Sequence, residues 1–176
     1  MKSAFAYDLL VERLVPPVTR YAGVAVDAPE ISLPVDFRWL IARYGAGWVN
    51  EYLAIYSPVA DAAAMNTFSR TKLFAEVLNE LAGSEPRAKR LHSMVTGTAV
   101  RCFVWAGTIN GETLLSNFVG TDKTSQVILV SSDLDVVEYW CDVVEFMFDL
   151  VSQRIKGEFI SREFVPPFVY KAAPNM

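Results

Sequence analysis

The pair Asn110-Gly111 sets the most restrictive condition on the fold of this chain. It separates two β-forming runs, Val100 to Ile109 and Glu112 to Val119, and Asn-Gly tolerates the positive φ angles of a type I′ hairpin turn. Two further runs follow closely, Val127 to Val130 and, after Ser131-Ser132-Asp133, Leu134 to Tyr139. Strands on connections this short run antiparallel, because a parallel return needs a crossover of about a dozen residues or more. The aromatic run Tyr52 to Tyr56, closed by Ser57 and Pro58, reads as another strand.

Four other segments carry helical periodicity. Tyr7, Leu10, Val11 and Leu14 share one face of a helix over 3–15, with Ser3 as N-cap and Pro16-Pro17 as stop. Phe37, Leu40, Ile41 and Tyr44 repeat the spacing, opened by Pro34 and Asp36 and ended by Gly45. Phe74, Val77, Leu78 and Leu81 form a third apolar face, closed by Gly83. A fourth helix is expected from about Trp140 to Lys156, with Trp140, Val143, Val144, Met147, Leu150, Val151 and Ile155 as its stripe and Gly157 as terminator. Pro58 to Asn66 and the basic stretch Glu85 to Leu91 read as surface connections, and 164–176 as an irregular Pro-rich tail that docks on the body. The expected architecture is a single α+β domain over 1–176, four amphipathic helices packed on a mostly antiparallel sheet.

Composition narrows the function classes. Of 176 residues, 52% are hydrophobic, and 16 Lys and Arg stand against 20 Asp and Glu, a formal net charge of −4. This is a chain with a real core, and its balance disfavours polyanion binding, so no direct nucleic-acid contact is expected. No uncharged apolar run approaches the roughly 18 residues of a membrane span. Asp8 and Glu12 interrupt what would be the apolar core of a signal peptide, which points to the cytoplasm. Two cysteines, Cys102 and Cys141, and one histidine, His92, leave little material for a metal site or a nucleophile and base pair, and no cofactor is expected.

Three motif blocks, read in order, resemble the SUKH superfamily, the Smi/Knr-like proteins. Leu33-Pro34-Val35-Asp36-Phe37-Arg38-Trp39-Leu40, Tyr44-Gly45-Ala46-Gly47 and the strand ending Ile55-Tyr56-Ser57-Pro58 are similar to that family's opening. Trp105-Ala106-Gly107 leading through Asn110-Gly111 to Glu112 is similar to its central hairpin, although Glu112 stands where Asp is more usual. The strands Val127 to Val130 and Val136 to Tyr139, then the helix with Glu145-Phe146-Met147, complete a resemblance over roughly 33–159. It implies a SUKH-like fold and a non-enzymatic bacterial immunity protein, which binds a cognate toxin, often a nuclease, and occludes its active site. An adaptor of the same fold that docks a cellular protein is the alternative.

Charge asymmetry is the strongest physical pointer to a surface. From Thr124 to Gln153 there is no Lys or Arg, while Asp133, Asp135, Glu138, Asp142, Glu145 and Asp149 all lie there. On a helix, Asp142, Glu145 and Asp149 fall within about 60° of one another and opposite the apolar stripe, a carboxylate ridge expected to face water. With Glu112 these acids are the candidate partner-binding residues, suited to a basic, nuclease-type protein through sign complementarity. Paired acids can also do general acid and base work, which keeps a small hydrolase as a third reading. Trp39, Trp48, Trp105 and Trp140 are expected in packing, with Tyr52 or Phe168 as exposed interface anchors. Arg87, Lys89, Arg90, His92 and Arg101 make a small basic cluster, read as a solvated loop.

Overall fold

A computed structural model describes residues 3–17, 33–97, 101–118, 125–155 and 164–173. In chain order the elements are α1 (Ser3–Arg13), α2 (Val35–Tyr44), β1 (Gly47–Val49), β2 (Leu53–Ile55), α3 (Thr67–Leu81), α4 (Pro86–Thr96), β3 (Arg101–Thr108), β4 (Thr113–Phe118), β5 (Ser125–Val130), β6 (Val136–Tyr139), α5 (Val143–Val151) and β7 (Tyr170–Ala172). The strands form one sheet in the order β6-β5-β4-β3-β2-β1-β7, every neighbouring pair antiparallel. The architecture is therefore α+β with a seven-stranded antiparallel sheet and, among the described residues, five α-helices rather than four.

The central strands are buried on both faces because their side chains alternate between two cores. Phe103, Trp105, Leu114 and Val127 point to the side covered by α5, α1 and α2; Cys102, Val104, Leu115, Ile128 and Val130 point to the side covered by α3 and α4. Trp105 is fully buried and meets Phe146 of α5 edge-on, with ring centroids 6.0 Å apart. On the same side Tyr7 stacks against Trp39 at 4.6 Å, and the Tyr44 hydroxyl donates to the Leu14 carbonyl at 2.7 Å, tying α1 to α2.

Several expectations are corrected by local chemistry. The hairpin between β3 and β4 is present, but only Gly111 has positive φ (95°), so the turn is not type I′. Thr108 N–H donates to Glu112 O and Gly111 N–H to Thr108 O, the pattern of a three-residue loop with glycine in the left-handed position. The turn whose two central residues do have positive φ is at Asn50 and Glu51, between β1 and β2. The segment Glu85 to Leu91 is not a connection but the start of α4, with Glu85 accepting from Arg87 N–H and Pro86 in the first turn. The stretch from Pro58 contains a 3₁₀ turn (Ala63–Met65) and ends at Asn66, which caps α3 by accepting from Phe68 and Ser69 N–H. Its amide donates to the carbonyls of Pro58 and Ala60, so one side chain both starts a helix and shapes the loop before it.

The fourth expected helix is shorter than 140–156. Asp142 caps α5, and Trp140, assigned to the apolar stripe, lies before it in a bend and is 85% exposed. At the other end Gln153 takes positive φ (55°) while Arg154 N–H reaches back to Asp149 O at 2.8 Å, so Gln153 performs the stop assigned to Gly157. Lys156 and Gly157, like Val100, Val119 and Thr124, lie outside the described residues. The tail is not wholly irregular: Tyr170–Ala172 forms β7 on the edge of β1, and Phe164 and Tyr170 enter the core. Asn50 secures it by donating to Val165 O and accepting from Val169 N–H.

Candidate functional site

The motif residues occupy structural positions. Leu33 is buried, and Pro34 precedes α2 with its carbonyl accepting from Arg38 N–H. Gly45 ends α2 at φ 69°. A Cβ on Gly47 would stand 2.5 Å from the Tyr170 hydroxyl, and one on Gly107 2.6 Å from the Tyr56 hydroxyl, so both glycines let aromatic side chains lie on the sheet. Asn110 is exposed on the hairpin turn, its amide 3.4 Å from the Tyr52 hydroxyl. Tyr52 itself is buried, not an exposed anchor, because Phe164 packs on its ring at 5.3 Å. Phe168 is half-buried against Phe164.

The seven acidic candidates separate into two groups on different sides of the sheet. Glu112, Asp133 and Asp135 collect at one end, where the β3–β4 turn lies beside the β5–β6 turn and a Cβ on Gly111 would come within 3.9 Å of Ser132. Glu112 is half-buried with its carboxylate on the Thr108 hydroxyl, and burial raises its pKa. Asp133 and Asp135 are exposed, and the backbone N–H groups of both donate to Ser131 Oγ, which fixes the turn. Arg87 of α4 donates to the Asp135 carboxylate at 2.6 Å. Glu138, the next acid along β6, pairs in register with Ile128 and so faces the α3 and α4 side, where it accepts from the neutral Gln126 amide at 2.9 Å.

Asp142, Glu145 and Asp149 belong to the opposite side and do not form a ridge open to water. All three are half-buried, because α1 and α2 pack against α5. Asp142 accepts from Glu145 N–H at 2.7 Å, while Asp36, buried on α2, accepts from Val143 N–H at 3.0 Å. Two carboxylates are thus committed to the same helix start, where the dipole favours them. Burial, with repulsion from Asp36 and Glu145 added, pushes the Asp142 pKa up to about 6 despite its backbone hydrogen bonds. Tyr7 donates to Asp142, and burial together with that negative charge raises the tyrosine pKa. Asp149 pairs with Arg154 at 3.2 Å, and the Arg154 guanidinium also lies over the Phe148 ring.

The remaining candidates are spread apart. Cys102 is buried on the α3 and α4 side and Cys141 half-buried on the α5 side, both as free thiols whose pKa burial raises to about 12. Arg87, Lys89, Arg90 and His92 lie on α4, an ordered helix rather than a loop. No group of three or more His, Cys, Asp or Glu side chains among the described residues is arranged to hold a metal, and none of the described helices is long and apolar enough to cross a membrane.

What sequence reasoning missed is Trp140. It follows β6 directly, 85% exposed, between Glu138 and Asp142, and Val136 at the start of the same strand is 42% exposed. A tryptophan placed on the stripe of a helix that in fact starts three residues later carries no sequence signal of exposure; the only available clue is that Asp142 is a good N-cap. Compared with models of protein families, with curated proteins and with solved structures, the chain matches none.

Proposed function

We propose that this chain is a non-enzymatic, cytoplasmic immunity protein of SUKH type, which neutralises a basic, nuclease-type toxin by covering its active site. The observation that carries the reading is Trp140, standing in solvent just after β6, the edge strand that bears exposed Glu138 and is entered at its other end through the Asp133 to Asp135 turn. Exposed tryptophan is costly to leave in water and is the residue type most enriched at interface centres. Carboxylates along this edge supply the opposite sign to a cleft built for phosphates, which speeds encounter and rejects neutral or acidic surfaces. The resemblance of the Leu33-Pro34, Gly45-Ala46-Gly47 and Trp105 to Glu112 blocks to SUKH proteins supports the same assignment. In this account Asp142 and Asp36 serve the fold, and Asp149 contributes less because Arg154 already neutralises it.

The test is co-expression with the C-terminal domain of the protein encoded by the adjacent gene. The expected result is restored growth of cells making that domain, and co-purification of the two chains. No rescue and no complex contradict the reading. A complex with a non-toxic cellular protein would replace it with the adaptor function.

A further inference from the structure

We infer that β6 is an open docking edge that accepts an added strand from a protein partner, an extended segment in which apolar residues alternate with Lys or Arg. The inference rests on the reading of this acidic edge as the binding surface and adds the way the partner is held. Among the described residues β6 pairs with β5 alone. Ser131 N–H donates to Asp135 O at 2.9 Å, and the register continues Val130 to Val136, Leu129 to Val137 and Ile128 to Glu138. Hydrogen-bonded pairs alternate along an antiparallel ladder, so Val137 and Tyr139 bond inward and Val136 and Glu138 turn their N–H and C=O outward.

The side chains on this edge specify what can occupy it. Tyr139 packs against Phe146 of α5, whereas Val136, Glu138 and then Trp140 succeed one another at two-residue spacing and are all exposed. Apolar, acidic, aromatic is a row that an apolar and basic strand complements, with the Trp140 ring able to cover an alkyl stem or face a cation. Arg87 already engages Asp135, which leaves exposed Glu138 as the carboxylate on the strand itself for an incoming cation. A second copy of the chain is the wrong occupant, because β6 paired with itself brings each Glu138 near its own image and like charges on neighbouring strands repel.

The experiment uses the full chain and two short capped peptides, one alternating Val and Lys, the other Val and Glu, followed by amide hydrogen exchange at single-residue resolution. The Val-Lys peptide is expected to bind saturably and to protect the amides of Val136 and Glu138, with the Val-Glu peptide at least about tenfold weaker. Glu138→Lys is expected to invert that preference and Trp140→Ala to weaken both peptides. Equal binding of the two peptides by the unmodified chain, or protection that leaves Val136 and Glu138 unchanged, overturns the inference whatever the variants do. Growth rescue without edge protection would leave the immunity reading standing and remove this one; edge protection without rescue would do the reverse.

Discussion

Asp142 carries two conflicting duties. As N-cap of α5 it must offer an oxygen to Glu145 N–H, yet burial and the nearby Asp36 and Glu145 carboxylates penalise its charge, hence the pKa of about 6. The folded state therefore holds the Asp142 proton more tightly than the unfolded chain does. That contribution is present in full below about pH 4, the ordinary carboxylate range, and is lost as pH rises through about 6. Asp142→Asn keeps the capping oxygen and removes the charge. It should raise the thermal midpoint at mildly alkaline pH, leave it unchanged in acid, and flatten the pH dependence between. Asp142→Ala removes both the cap and the charge, so it should cost about 0.5–2 kcal/mol in acid, as read from denaturant midpoints, and the cost should shrink as pH rises through about 6. Ser116 offers a second single-residue test: it is fully buried on β4, and its hydroxyl finds no hydrogen-bond partner among the described residues. Ser116→Ala should be neutral or stabilising in chemical denaturation, against the usual expectation for a buried substitution. Neither property was legible in the sequence, since Asp142 reads as one acid in a row and Ser116 as one more strand residue.

At the scale of elements, legibility followed the strength of the local signal. The helix at α2 was readable because Pro34, Asp36, the apolar spacing and Gly45 all agree. The β3–β4 hairpin was readable as a hairpin, but its turn type depends on whether Asn110 adopts positive φ, which Asn can do without having to. Helix α4 was hidden by its charge: Arg87, Lys89 and Arg90 face out, and only Ala88 and Leu91 are fully buried. Leu91→Ala should cost about 2–5 kcal/mol in denaturant unfolding, where a solvated connection would lose almost nothing. Strand β7 was beyond a local reading because its three residues acquire strand character only by pairing with β1 across the length of the chain, and β1, though it also pairs with β2, is only three residues long. Gly47→Ala forces a Cβ into the space of the Tyr170 hydroxyl and should undock the tail. Limited proteolysis would show it as faster cleavage C-terminal to Phe164, with the β3–β5 ladder still protected from hydrogen exchange.

Across the whole molecule, the base-free stretch turns out to serve two purposes that sequence order had merged. Its first half, Asp133 to Glu138, runs from a turn along the exposed edge strand of the sheet, and its second half, Asp142 to Asp149, lies between α5 and the helices packed against it. A helical wheel cannot see that second layer, because the apolar face of α1 is drawn to α5 by contacts far apart in the chain. The separation predicts which charges matter to a partner. On the immunity function proposed above, reversing Asp133 and Glu138 together to Lys should weaken binding to the C-terminal domain encoded by the adjacent gene at least about tenfold and flatten its salt dependence. Reversing Asp149, already paired with Arg154, should change affinity little. The most direct test of the account is the affinity of the unmodified chain and of the Asp133→Lys, Glu138→Lys variant for that domain across a range of ionic strength. The account predicts tight, salt-sensitive binding by the first and weak, salt-insensitive binding by the second; identical affinities with identical salt slopes would contradict it.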